Sequence, residues 1–153
     1  MNYRKLAEEA LAQSEELALC TETPGKLTRT FLSDAMAKAQ QKIRSYMEDA
    51  GMEVRLDALG NIIGRLKGSS DKVFLTGSHI DTVRTGGRYD GNYGVLAGLE
   101  VVRTLNEHGI TTEAPIEVAF WTNEEGSRFV PVMMGSGVFA KAFSLEHAYA
   151  AKD

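Results

Sequence analysis

Apolar residues recur at helical spacing in three long segments of the chain. They predict an amphipathic helix over residues 3–19, a second over 34–50 and a third over 92–107. Ser33 is a favourable N-cap for the second helix, and Gly51 stands where a C-terminal capping glycine is expected. The residues between the second and third helices follow a different period and need a separate interpretation.

Strand-like runs fill most of that interval. Residues 53–57 alternate between apolar and polar side chains, and residues 62–66, after a glycine-containing turn, predict a second strand antiparallel to the first. Residues 72–76 are a short apolar run with turn signals on both sides, which is typical of a buried strand. Residues 116–121, beyond the third helix, give the clearest strand pattern in the chain.

The order of these elements predicts the fold class. The strand at 72–76, the helix at 92–107 and the strand at 116–121 form a βαβ unit, which implies parallel strands and a right-handed crossover. A short helix is expected over 135–143, with a further helical piece at the end of the chain. We therefore predict an α/β fold in which helices flank a mixed sheet, without internal repeats or linkers. The 153 residues are enough for one domain with a core.

Composition narrows the classes of function. Hydrophobic residues make up 43% and charged residues 25%, as in ordinary globular proteins. The formal charge of −4 and the absence of a Lys/Arg cluster argue against nucleic-acid binding. The single cysteine, Cys20, excludes an intrachain disulfide, and no apolar run is long enough to span a membrane. Because the N-terminal segment turns acidic before any apolar run, we expect a cytoplasmic location.

Imidazole and carboxylate groups follow the two strands that are predicted to be parallel. One further carboxylate lies in the loop between the first of these strands and the third helix. The candidate residues are His79, Asp81, Asp90, Glu124 and Glu125. In open α/β sheets, sites form beyond the carboxyl ends of parallel strands, so these groups should meet at one rim. This mixture of ligands suits divalent metal ions. The placement predicts much of a metal-dependent hydrolytic site.

Each candidate also has an ordinary interpretation. His79 could be a hydrogen-bonded loop histidine, and Asp90 with Gly91 could be a simple turn. Glu124 and Glu125 could belong to a solvated acidic loop, although adjacent like charges after a buried strand are mildly unfavourable. The convergence of all five groups on one rim favours a function over these alternatives.

Five segments resemble a known enzyme family, and weaker similarity extends to two others. They are residues 77–83, 86–91, 94–100, 122–129 and 133–139, with the weaker matches in 57–61 and 27–29. In them the chain resembles the M20 family of metal-dependent amidohydrolases and peptidases. The similarity is greatest to the branch of N-carbamoyl-L-amino acid hydrolases, allantoate amidohydrolases and β-ureidopropionase-type enzymes. It covers most of the chain and implies a partial zinc-peptidase-like catalytic domain.

The resemblance implies a role for each candidate residue. His79 would bind the first of two divalent ions, Asp90 would bridge the two, and Glu125 would bind the second. Glu124 would be the general base that takes a proton from the attacking water. Asp81 would hydrogen-bond His79 and fix its tautomer. The ions would be Zn, Mn, Co or Ni, and the substrate a small carbamoyl or ureido compound such as an N-carbamoyl-L-amino acid or allantoate.

The chain also departs from this branch, whose members are more than twice as long. They supply further histidine ligands and carry an inserted domain for dimerisation and substrate binding, whereas neither His108 nor His147 matches a ligand motif. We expect residues 1–153 to be the N-terminal part of a dinuclear-metal catalytic domain, without that inserted domain or the C-terminal part. Metal retention should be weak or absent, and turnover negligible. A non-catalytic interaction module and one piece of a split enzyme stay open as alternatives.

Overall fold

The computed structural model describes residues 3–153, so the first two residues of the predicted domain 1–153 lie outside it. Four strands and five helices occupy the described part of the chain. In order they are α1 Tyr3–Ala18, α2 Asp34–Asp49, β1 Glu53–Leu56, β2 Ile62–Leu66, β3 Phe74–His79, α3 Asn92–Glu107, β4 Ile116–Trp121, α4 Met134–Phe139 and α5 Leu145–Tyr149. The predicted α/β class and the predicted order of elements are confirmed.

Helix α2 has both of its predicted caps. The Ser33 hydroxyl accepts a hydrogen bond of 3.1 Å from the amide of Met36, which satisfies one free donor in the first turn. At the other end Gly51 has φ of +78°, and the amides of Gly51 and Met52 donate back to carbonyls of the last turn. This is a Schellman ending, in which glycine adopts the left-handed conformation without strain. It turns the chain directly into β1.

The four strands form one mixed sheet in the order β1-β2-β4-β3. The pairs β1/β2 and β2/β4 are antiparallel, whereas β3 and β4 are parallel neighbours connected through α3. This confirms the predicted βαβ unit. Helix α3 packs against β3, β4 and α1, and α2 packs against β1 and β2. The main core is formed by fully buried side chains that include Leu17, Ile43, Met47, Leu99 and Phe120.

Strand β3 differs from its prediction in position and in burial. It begins at Phe74 and continues to His79, so His79 is the last residue of the strand instead of a loop residue. The expectation of a buried strand is wrong: Val73, Phe74 and Leu75 are 41%, 61% and 38% exposed. The physical reason is the strand order, because β4 lies between β2 and β3 and leaves β3 at the edge of the sheet. A short apolar run does not reveal whether a strand is central or at an edge.

A second, smaller core lies under the two short C-terminal helices. Phe31, Leu59, Met134 and Ala148 are its buried members. The helix predicted over 135–143 is shorter in the structure, where α4 ends at Phe139. No helix within residues 3–153 combines the length and the apolar character needed to cross a membrane.

Candidate metal centre

The parallel pairing of β3 and β4 determines where the candidate residues meet. His79 pairs with Trp121, so both strands end at the same edge of the sheet and their following loops lie side by side. The His79 Nε2 atom lies 3.5 Å from Glu124 Oε2 and 3.8 Å from Asp90 Oδ1. The loop before α3, which carries Asp90, therefore lies beside the two loops that follow the strands. The structure brings His79, Asp90 and Glu124 to one rim of the sheet, as the sequence predicted.

Three of these residues have the spacing of a metal-binding group. His79, Glu124 and Glu125 each offer one ligand atom, and these atoms all lie within 4.8 Å of one another. Two ligand atoms that share one ion, each at about 2.0–2.2 Å from it, lie at most about 4.4 Å apart. The distances from His79 to Glu124 and to Asp90 satisfy this limit. The imidazole-carboxylate donor set also suits the divalent ions of the first transition row.

The His79 ring is oriented by its own loop. Its Nδ1 atom lies 2.9 Å from the main-chain carbonyl oxygen of Asp81. A carbonyl oxygen can only accept, so Nδ1 carries a proton and donates to it, and Nε2 is the ring nitrogen that faces Glu124 and Asp90. The predicted bond from His79 to the Asp81 carboxylate is not made, since the nearest carboxylate oxygen is 3.7 Å away. The carbonyl of Asp81 makes the bond expected of its side chain.

The Asp81 carboxylate is occupied by the loop that follows β4. Its Oδ1 accepts from the amide of Glu124 at 3.2 Å, and its Oδ2 accepts from the amide of Glu125 at 3.1 Å. The residue is only 2% exposed, and this burial raises the pKa of the Asp81 carboxyl, although the two amides and His79 oppose the shift. Asp81 thus joins the histidine-bearing loop to the loop with both glutamates.

Asn123, which no sequence pattern singled out, controls the direction of the chain before the glutamate pair. It is buried with φ of +49°, a left-handed conformation that asparagine tolerates better than most residues. Its side-chain amide donates to the carbonyls of Phe129 and Pro131, at 2.8 and 3.2 Å. Asn123 therefore holds the loop that follows Glu125 against the end of β4. The only sequence signal was an asparagine two residues after the end of a strand.

Gly91 brings Asp90 against the imidazole. It has φ of +69° and ψ of −52°, and the amide of Asn92 donates to the carbonyl of Asp90 at 2.8 Å, which together form a classic γ-turn. A Cβ atom at Gly91 would lie 2.5 Å from the carbonyl oxygen of His79 and 2.6 Å from two atoms of its ring. The simple turn considered from the sequence is real, and it also places Asp90 at the site.

The carboxylates at this rim are crowded. Burial raises the pKa of Glu125, and the charges of Asp90, Glu124 and Asp81 raise it further, while His79 lowers it. In the described part of the chain, no lysine or arginine forms an ion pair with any of these four acids. A bound cation would relieve this repulsion.

The two other histidines lie elsewhere. His108 caps the C-terminal end of α3, where its Nδ1 lies 2.9 Å from the carbonyl oxygen of Thr104. His147 belongs to α5 and packs beside the ring of Phe143, with ring centroids 5.7 Å apart. Neither belongs to the metal-binding group found among residues 3–153.

Comparison with known proteins identifies relatives of the chain. A family model described as Peptidase family M28 matches residues 61–152. The N-carbamoyl-L-amino-acid amidohydrolase of Rhizobium meliloti is 46% identical over 131 residues, which are 84% of this chain and 32% of that protein. The allantoate amidohydrolase of Bacillus subtilis is 40% identical over 131 residues, with the same shares. The chain thus spans about a third of the length of these relatives.

A solved structure with a similar fold belongs to the same group of relatives. The hydantoinase/carbamoylase family amidase from Burkholderia ambifaria superposes with a TM-score of 0.91 at 45% identity, covering 95% of this chain and 36% of that one. The names of these relatives agree with the carbamoylase and allantoate branch that the sequence resembles, while the matching model carries the description M28 and not M20. The chain therefore belongs to Peptidase family M28 and is related to the hydantoinase/carbamoylase amidases.

Proposed function

We propose that this chain supplies one wall of a dinuclear-metal site that hydrolyses C–N bonds in small carbamoyl or ureido compounds. The observation that carries the proposal is the convergence of four groups at one rim. His79 Nε2 lies 3.8 Å from Asp90 Oδ1, and atoms of His79, Glu124 and Glu125 lie within 4.8 Å of one another. The relatives named for N-carbamoyl-L-amino acids and allantoate support these two substrates. Because the chain spans about a third of their length, the activity of a whole protein is part of the proposal.

In this proposal the metal ligands divide between two ions. His79 and Asp90 hold the first, while Asp90 and Glu125 hold the second, and each ion is Zn, Mn, Co or Ni. Such a pair supplies Lewis acidity and lowers the pKa of a coordinated water. Asp81 acts as a positioning residue, since its carboxylate holds the amides of Glu124 and Glu125 and its carbonyl orients His79.

Glu124 is the general base of the proposal. Its side chain is one-third exposed and lies 3.5 Å from His79 Nε2, so it is at the site and open to water. Its carboxylate accepts the proton of the attacking water and delivers it to the leaving nitrogen. For a carbamoyl substrate, this hydrolysis yields an amine, carbon dioxide and ammonia.

Two protein ligands for each ion are fewer than the three or more that metal sites normally provide. We propose that the missing ligands come from outside residues 3–153, either in a longer chain or from a partner. Residues 1–153 then act as the N-terminal part of a dinuclear-metal catalytic domain that works in the cytoplasm as a homodimer. The chain by itself would bind metal weakly and turn over little substrate.

A chimera tests the assignment of the base. This chain replaces the matching third of the Rhizobium meliloti relative, and hydrolysis of an N-carbamoyl-L-amino acid is measured together with bound metal. Glu124→Gln should lower kcat by about 10²–10⁴-fold with metal content unchanged. Glu146→Gln, in α5, is the matched control and should keep full activity. A Glu124→Gln chimera with near-normal turnover would refute the assignment.

A non-catalytic interaction module is the second candidate function. The exposed apolar residues Val73, Phe74 and Leu75, at the start of the edge strand, favour it. An unsubstituted chimera that folds, binds metal and yet hydrolyses neither substrate would support this alternative against the enzyme.

A further inference from the structure

Arg29 is a buried cation behind the candidate metal centre. Its residue exposure is 0%, and all its polar hydrogen-bond partners are neutral. The Nε atom donates to the Ile80 carbonyl at 2.7 Å, and one terminal nitrogen donates to the carbonyls of Leu17 and Cys20. The other terminal nitrogen donates to the Asn92 side-chain oxygen at 3.1 Å. One guanidinium therefore connects the end of α1, the end of β3 and the start of α3.

Two of these contacts adjoin proposed metal ligands. Ile80 lies between His79 and Asp81, so its carbonyl is part of the histidine-bearing segment. Asn92 follows the γ-turn at Gly91, and its own amide makes the hydrogen bond to Asp90 that closes this turn. The Arg29 main chain adds a reciprocal pair of bonds with Thr82, at 2.9 and 3.0 Å. Both segments that approach the first ion are thereby tied to one side chain.

The charge of Arg29 is not explained by an ion pair. Within residues 3–153 no carboxylate lies within ion-pair distance of its guanidinium. Burial lowers the pKa of Arg29 to about 10, opposed by Cys20 and Asp81, so the group stays charged at neutral pH. A buried charge is costly, and packing alone is served as well by an apolar side chain. What an apolar side chain cannot supply is a planar fork that bonds acceptors on three elements at once.

We propose that Arg29 is a positioning residue that fixes the segment carrying His79 relative to the segment carrying Asp90. The inference rests on the proposed function, in which these two side chains bind the same ion. It predicts that loss of the fork changes the orientation of the imidazole and the geometry of the ligand pair, while the core stays folded.

Three variants of the chain test the proposal. Arg29→Lys keeps the charge and removes the fork. Asn92→Ala removes the link from Arg29 to α3, together with the bond from the Asn92 side chain to the Arg88 carbonyl. Arg103→Lys is the matched control, since Arg103 bonds Glu100 away from the site. The metal-free readout is the imidazole ¹H–¹⁵N NMR spectrum at one fixed pH, which reports the tautomer of His79. The second readout is Co²⁺ affinity by calorimetry, and urea unfolding confirms that each variant is folded.

The expected pattern separates the two segments. Arg29→Lys should give mixed His79 tautomers and about tenfold weaker Co²⁺ binding. Asn92→Ala should weaken Co²⁺ binding similarly without changing the tautomer of His79. If Arg29→Lys does not fold, this variant tests the positioning role of Arg29. The proposal is overturned if both variants match Arg103→Lys in both readouts. A wild-type chain that binds Co²⁺ too weakly to measure agrees with a site that has two protein ligands for each ion. The tautomer of His79 in Arg29→Lys then supports or overturns the role of Arg29 by itself, while the chimera tests the proposed function.

Discussion

Replacement of Gly91 by alanine should disable the histidine ligand through a direct steric effect. The new Cβ would stand 2.5 Å from the His79 carbonyl oxygen and 2.6 Å from its Cε1 and Nε2 atoms. The carbonyl belongs to the last residue of β3 and cannot move without disturbing its pairing with β4. We expect the imidazole to rotate away from Asp90 and Glu124 to relieve the contact.

Two contributions determine how much Gly91→Ala lowers the free energy of unfolding. A non-glycine residue with positive φ costs about 1–3 kcal/mol, and the γ-turn conformation at Gly91 belongs to the strained class. Insertion of a methyl group into a packed environment adds about 1–3 kcal/mol. Gly91→Ala should therefore lower the free energy of unfolding by about 2–6 kcal/mol.

Gly109 provides a matched control at the other end of α3. It also has positive φ, of +63°, but nothing lies within 4 Å of the position of its Cβ. Gly109→Ala should therefore show only the backbone cost, about 1–3 kcal/mol, and leave Co²⁺ affinity unchanged. Urea unfolding and Co²⁺ calorimetry measure both effects. If Gly91→Ala costs no more than Gly109→Ala and binds Co²⁺ like the wild type, the packing argument is wrong.

Two further predictions concern stability and association. Burial raises the pKa of Glu100, so the wild type should lose unfolding free energy as pH rises from about 4 through the pKa of the folded state, and Glu100→Gln should flatten this part of the urea profile. An unchanged profile would exclude Glu100 as the source. Phe74→Lys on the edge strand should reduce self-association in sedimentation velocity, whereas Leu19→Lys, at an even more exposed apolar position away from the sheet, should not. Equal association of the two variants would show that the strand edge is not the contact.

The helices and the βαβ unit were predictable because their signals are local. The Ser33 cap, the Gly51 ending and the apolar periods act within a few residues of the chain, and the structure reproduces them. The burial of β3 was not predictable in this way. It depends on β4 being inserted between β2 and β3, a pairing of distant segments that leaves no mark in the sequence of residues 72–76.

The same distinction applies to the candidate site. His79, Glu124 and Glu125 could be grouped from the sequence, because parallel strands bring their following loops to one rim. The hydrogen bonds of Asp81 could not be predicted, because they depend on atomic positions. Its carbonyl accepts from His79, while its carboxylate accepts from the amides of Glu124 and Glu125. Arg29 stands 50 residues before His79 in the sequence, and no local pattern distinguishes it from a surface arginine.

The edge position of β3 also has a kinetic consequence. Among the described residues, strand β3 has a hydrogen-bonded strand neighbour on one side only, so it can separate from β4 without disrupting the β1-β2-β4 ladder. Regions of this kind open through local fluctuations that need less free energy than global unfolding, and their amides exchange with solvent sooner. Because His79 ends this strand, its ligand atom shares those fluctuations, while the glutamates follow the central strand β4. Metal affinity would then depend on the free energy of opening at one edge of the sheet as well as on the ligands themselves.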